Sequence, residues 1–132
     1  MKTYEELMKQ KWKWSIEQFG KGYSYDGLKD HILKEIAELD KEPYDLEEWI
    51  DMMFLVTDGA HRVVKMHYPQ LKPEEIVAVV RTAFQQKLKI NRNRKWGKHI
   101  PGKAVEHIRH EKEEKFDMVK AHKDAGFADT VL

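Results

Sequence analysis

Cysteine is absent from the 132 residues, which excludes disulfides, thiolate metal sites and a cysteine nucleophile. Prolines number only four, and Pro43, Pro69, Pro73 and Pro101 fall where helical patterns break. Neither sign of charge is in excess. Lys and Arg total 24 against 23 Asp and Glu, so bulk electrostatics does not nominate nucleic acid as a partner. No apolar run approaches the roughly 18 residues of a membrane span, and the N-terminus carries no signal-peptide core. A soluble, intracellular protein with no membrane partner is the expectation.

What remains is charged and helical. Charged residues make up 36% of the chain, in keeping with a small helical protein with solvated outer faces. The length suits one domain over residues 1–132, with a weakly ordered tail from about 123. The pattern predicts an all-α bundle of about four to five helices. Thr3 caps a first helix to about Phe19, ended by Gly20 and Gly22. A second runs from about Asp26 to Lys41, with Leu28, Ile32, Leu33, Ile36 and Leu39 at helical spacing. A third starts at Asp45 and is read as carrying Leu46, Trp49, Ile50, Met53, Phe54, Val56, Ala60, Val63 and Val64 toward the core. Pro73 suits the first position of a fourth, which presents Ile76, Val77, Val80, Ala83, Phe84, Leu88 and Ile90. From Ala104 to His122 the chain reads as helix-prone but weakly apolar, and no stretch reads as a strand.

Two acidic pairs flank the break at Glu42-Pro43-Tyr44. Glu35 and Glu38 stand i, i+3 on the second helix, and Glu48 and Asp51 do so on the third, so each pair shares a helix face. At 1.5 Å per residue, Glu38 and Glu48 lie roughly 4–5 Å from the turn. An antiparallel hairpin then sets Glu38 against Glu48, with Glu35 opposite Asp51 one step deeper. Carboxylates so close repel unless cations lie between them. Oxygen donors without a histidine or thiolate suit Mg²⁺, with Mn²⁺ as the alternative, and a phosphorylated substrate completes such a shell. Two or more ions per site are expected. A lone acidic pair is more often solvated surface, and Glu48 could serve a capping box with Asp45; two level pairs favour a metal centre.

A basic counterpart follows. Lys87, Asn91, Arg94 and Lys95 fall at i, i+4, i+7 and i+8, one face if the fourth helix continues through them. Six basic residues and no acid occupy positions 87–98. Arginine and lysine there suit a triphosphate clamp; a basic helix end and a nucleic-acid patch are the competing readings.

In order along the chain, Gly27 to Glu38, Asp45 to Asp51, Asp58-Gly59-Ala60, the Lys87, Asn91, Arg94, Trp96 series and Val105 to Arg109 resemble the MazG-like all-α nucleoside triphosphate pyrophosphohydrolases. The closer match is to their small dATP/dGTP subfamily, frequent in phages. The resemblance spans roughly Phe19 to Arg109. It departs at Trp96-Gly97, where proline commonly follows tryptophan, and at Val56-Thr57, commonly small and apolar. It implies cleavage between the α- and β-phosphates, with Glu35, Glu38, Glu48 and Asp51 holding metal. It also implies a homodimer or homotetramer, for which Trp49, Met53 and Phe54 are candidate contacts, and a cytoplasmic location (the host's, if phage-encoded).

The expected function is therefore metal-dependent hydrolysis of a purine deoxynucleoside triphosphate, dGTP or dATP, to its monophosphate and pyrophosphate. Glu35 or Glu38 would accept the proton of the attacking water. Lys87, Asn91, Arg94, Lys95, Trp96, His31 and Asp58 are the candidate substrate contacts. Asp58 either assists there or pairs with Arg62 at i+4. Trp12, Trp14, Phe19, Phe84 and Trp96 are candidates to stack the base. Lys34 is placed beside the site as a neutralising charge, and His107 and His110 read as structural. Two other classes stay open at this stage. One is a helical assembly or regulatory protein with a structural cation site; the other is a nucleic-acid module using residues 87–98.

Overall fold

The structure, a computed structural model, describes residues 1–109 and 113–127. Five helices appear among them: α1 (Tyr4–Phe19), α2 (Tyr25–Lys41), α3 (Leu46–His67), α4 (Pro73–Asn93) and α5 (Met118–Asp124). The all-α reading holds, and each of the first four helices begins within one residue of its expected start. Their caps explain why. Thr3 and Glu6 form a reciprocal capping box on α1, Ser24 accepts from the Gly27 N–H on α2, and Asp45 accepts from the Glu47 N–H on α3. These bonds satisfy N–H groups that a helix start would otherwise leave unpaired. Gly20 closes α1 with φ +81°, a conformation that a side chain at this position would oppose.

The expectation of helix from Ala104 to His122 is corrected. Lys95–Trp96 (β1) and His107–Ile108 (β2) form a small antiparallel ribbon, and among the described residues helix returns at Met118. Weak apolar periodicity in this segment gives a helix little to bury; the two strands of the ribbon instead flank the turn at Pro101-Gly102.

The core lies between α1, the C-terminal half of α3, and α4. Trp12, Val64, Tyr68, Leu71, Ile76 and Val79 form it, with Met118, Ala125 and Phe127 packed against it. Helix α5 is pinned onto α4 by polar bonds. Thr82 donates to the Ala121 carbonyl at 2.6 Å, and Gln86 both donates to the Asp117 carbonyl and accepts from its N–H. The His122 ring stacks on Tyr68 at 4.0 Å. Ala125 and Phe127 thus pack against the core; residues 128–132 lie outside the described residues.

The N-terminal half of α3 differs from its sequence reading. Leu46, Trp49, Ile50, Met53, Phe54 and Val56 are exposed rather than in the core, and α2 buries no residue fully. Along this stretch α2 and α3 pack on each other and project from the core, so each leaves much of its apolar surface uncovered. On α4, Phe84 and Leu88 are likewise exposed, whereas Val79 is completely buried.

One core group carries a pH signature. His61 is 1% exposed, lies against Trp12 at 5.6 Å, and its Nδ1 has no hydrogen-bond partner. Burial first, and the Lys11 charge second, push its pKa from 6.5 down to about 4, with Asp58 opposing. The folded state keeps the imidazole neutral while the unfolded chain protonates below about 6.5, so stability falls as pH drops through that window. The loss levels off near pH 4 at about 3 kcal/mol. Urea midpoints across this range should fall less in His61→Met than in the wild type. Parallel curves would remove His61 as the cause.

Candidate active site

Three of the four predicted carboxylates converge. Glu35 on α2 and Glu48 and Asp51 on α3 present oxygens within 4.8 Å of one another. Glu38 stands outside this group, one turn along α2, exposed. The turn between α2 and α3 thus brings Glu35 close to both α3 acids, while the charge of Glu38 still acts on Glu48. That turn is closed by the Asp45 N–H bonded to the Glu42 carbonyl and by the Trp49 indole donating to the Pro43 carbonyl at 2.9 Å. The capping role weighed for Glu48 is not taken up, since Asp45 caps α3 without a reciprocal bond.

The electrostatics match the geometry. Desolvation first, then the charges of Glu35, Asp51, Glu38 and Asp45, raise the Glu48 pKa. One Glu35 oxygen, Oε2, is buried without a hydrogen-bond partner. Repelling carboxylates with an unmet buried acceptor, and no histidine or sulfur beside them, form a donor set suited to a hard divalent cation.

Glu35 and Asp51 also line a cavity of about 470 Å³, enclosed by α1, α2, α3 and the segment between α1 and α2. Trp14, Phe19, Leu28, Phe54 and Leu55 supply apolar walls, and His31, Ser24, Gly22 and Gly27 complete the α2 side. Trp14 meets Phe19 edge-on at 5.7 Å and Phe54 at 6.4 Å, and His31 lies against Phe19 at 6.1 Å. Gly59 leaves room for this wall: a Cβ there would stand 2.9 Å from Leu28 Cδ2, forcing Leu28 to shift.

At the inner end lies a buried polar cluster that the sequence only half disclosed. Asp58 accepts from Ser15 Oγ at 2.5 Å and from Arg62 Nε at 2.7 Å. Arg62 also donates to the carbonyls of Gly20, at 2.8 Å, and Gly22, and to Ser15 Oγ at 3.0 Å. Lys11 Nζ stands 3.8 Å from Asp58 Oδ1. The Asp58–Arg62 pairing weighed for i, i+4 spacing is the one formed. Asp58 serves Ser15, Arg62 and Lys11 rather than Lys87 or Arg94. Lys11 and Ser15 were missed; their i, i+4 spacing on an otherwise apolar face of α1 was the available signal.

The basic segment is placed differently from its reading. Helix α4 ends at Asn93, so Arg94 and Lys95 leave the helical face, and Lys95–Trp96 enter β1. Arg94 contacts Glu113 at 3.3 Å and Asn91 Oδ1 at 3.2 Å, with His107 also 3.1 Å from Glu113. Its charge serves the ribbon. None of Lys87, Asn91, Arg94, Lys95 and Trp96 lines the cavity. Among the stacking candidates, Trp12 is core and Phe84 is on the exposed side of α4, whereas Trp14 and Phe19 face the cavity. Lys34 pairs with Asp30 at 3.2 Å, both well exposed. His110 lies outside the described residues.

A helical protein whose hairpin gathers carboxylates beside an aromatic cavity has the form of an enzyme acting on a small molecule. Residues 7–114 match the model of the dATP/dGTP pyrophosphohydrolase family. The chain belongs to that family and is a nucleotide pyrophosphohydrolase, as the resemblance in sequence implied. Neither a curated protein nor a solved structure matches it. No helix among the described residues is long and apolar enough to cross a membrane.

Proposed function

We propose that the chain converts a purine deoxynucleoside triphosphate to its monophosphate and pyrophosphate in a reaction that requires Mg²⁺ or Mn²⁺. The observation that carries this reading is the convergence of Glu35, Glu48 and Asp51 at the edge of the aromatic cavity. These three carboxylates would hold the cation, with Glu38 near enough along α2 to serve a further ion. The bound cation supplies neutralising charge to the triphosphate and lowers the pKa of water. Glu35, or Glu38 beside it, accepts the proton from the attacking water. Oxygen attack at the α-phosphorus breaks its bond to the bridging oxygen, and pyrophosphate leaves with the electron pair. Trp14, Phe19 and Phe54 hold the base and sugar away from water, which positions the phosphates over the acids.

Pyrophosphate release from the common dNTPs and NTPs, with and without Mg²⁺ or Mn²⁺, tests the reading. Turnover should need the metal and favour purine deoxynucleotides, and millimolar metal should raise the melting temperature. A melting temperature indifferent to metal, or turnover undiminished by a chelator, would remove the metal site.

Self-association belongs to the same reading. Leu33, Ile36, Trp49 and Met53 leave the α2–α3 hairpin with exposed apolar surface, more than the scattered apolar residues of a monomer. A second copy of the same hairpin would cover it. Light scattering at micromolar concentration should give a dimer or tetramer, and a stable monomer would overturn this part alone.

A further inference from the structure

The inner end of the cavity holds a buried cation with unmet hydrogen-bonding capacity. The Lys11 side chain is 4% exposed, and its Nζ makes no hydrogen bond. It lies 3.8 Å from Asp58 Oδ1 and 5.7 Å from the centre of the Phe54 ring, and all three residues line the cavity. Its polar neighbours are already engaged: Ser15 donates to Asp58, and Arg62 is divided among Asp58, Ser15, Gly20 and Gly22. An ammonium carries three donors, and leaving them unpaired at a buried nitrogen is costly. Burial accordingly pulls the Lys11 pKa down, against the attraction of Asp58. A ligand acceptor entering the cavity would relieve this.

The position identifies the acceptor. Asp51 and Asp58 are seven residues apart on α3, about 10 Å along the axis. Lys11, beside Asp58, is thus about a nucleoside's length from the carboxylates. The apolar walls between, Trp14, Phe19, Leu28, Phe54 and Leu55, suit a base and sugar, and on the reading above the phosphates lie with the metal at the carboxylates. The group arriving at Lys11 is therefore a base edge. An ammonium only donates. Guanine carries an acceptor oxygen at its 6-position, where adenine carries a donor amino group. Resting on the nucleotide reading above, we propose that Lys11 is a specificity-determining residue, donating from Nζ to a purine 6-oxo group and so selecting guanine over adenine.

Binding and turnover separate this from the reading it rests on. Titration of the wild-type protein with dGMP, dIMP and dAMP, followed by calorimetry without metal, needs no catalysis. dIMP shares the 6-oxo group of dGMP but lacks its 2-amino group. Both 6-oxo nucleotides should bind about ten- to a hundredfold more tightly than dAMP. Lys11→Met should abolish that difference by weakening dGMP and dIMP while leaving dAMP within about twofold. The dGTP, dITP and dATP catalytic efficiencies should follow the same order. Should thermal melting show Lys11→Met to be unfolded, Lys11→Gln replaces it. Its amide can serve either 6-substituent, so the preference should collapse through improved dAMP binding. Equal wild-type binding of dIMP and dAMP, no binding of any of the three, or an equal loss of all three in the variant overturns the assignment. A 6-oxo preference without any hydrolysis would overturn the metal-dependent reading and leave Lys11 in place. Hydrolysis without a preference would do the reverse.

Discussion

Asp58→Ala is expected to lower the melting temperature by about 10–20 °C, the largest effect of any single change described for this fold. Among the described residues, Asp58 is the sole carboxylate in contact with Lys11, Ser15 and Arg62. Its removal leaves two cations side by side in a site from which water is largely excluded. Breaking a buried pair from one side typically costs about 3–5 kcal/mol, because the remaining charge has lost its counterion. The damage spreads, since Arg62 also carries the carbonyls of Gly20 and Gly22 and so holds the chain between α1 and α2 against α3. The exposed pair of Asp30 and Lys34, at 3.2 Å, is the control. Asp30→Ala should cost under about 1 kcal/mol. Thermal melts of both variants check the argument, and a shift of only a few degrees for Asp58→Ala would show that water reaches the cluster.

Glu35→Gln should reduce turnover by about 10²–10⁴-fold while leaving the metal-free fold as stable as before, or more so. The two effects have opposite signs for one reason. Glu35, Glu48 and Asp51 repel one another when no cation is present, so neutralising any of them relieves the apo protein and weakens the ion's site. Glu48→Gln and Asp51→Asn should behave alike, and all three should lose the stabilisation that Mg²⁺ or Mn²⁺ confers. Glu38→Gln separates a ligand of the same cation from a more distant partner. It should retain most of the metal-induced stabilisation even where turnover falls. Melting curves with and without metal, set beside pyrophosphate release, decide the matter. A Glu35→Gln protein that is destabilised without metal and still turns over would show the acids to be structural.

Elements with strong local signals were legible in the chain. Thr3 and Asp45 mark helix starts through bonds within three residues, and Pro73 does so through its fixed backbone angle; neither signal depends on the rest of the fold. The acidic residues of the hairpin were legible too, because a short turn leaves α2 and α3 little choice but to lie antiparallel. Which of their oxygens converge was not, since i, i+3 spacing gives a shared helix face and not the distances between facing side chains. Burial on α3 was misread for a similar reason. Periodicity finds the apolar stripe that includes Trp49, Met53 and Phe54 but does not say whether a partner element in the same chain covers it.

By itself, then, the sequence determined the helices, the hairpin and the type of chemistry, because caps, periodicity and carboxylate spacing act over one or two turns. Only the tertiary structure decided which acids meet, that Arg94 turns to Glu113 while the cavity draws its cations from Lys11 and Arg62, and that Asp58 joins α1 to α3. Those outcomes depend on contacts such as Ser15 with Asp58 and Arg62 with Gly20, more than forty residues apart. No local pattern encodes the packing that brings such residues within reach.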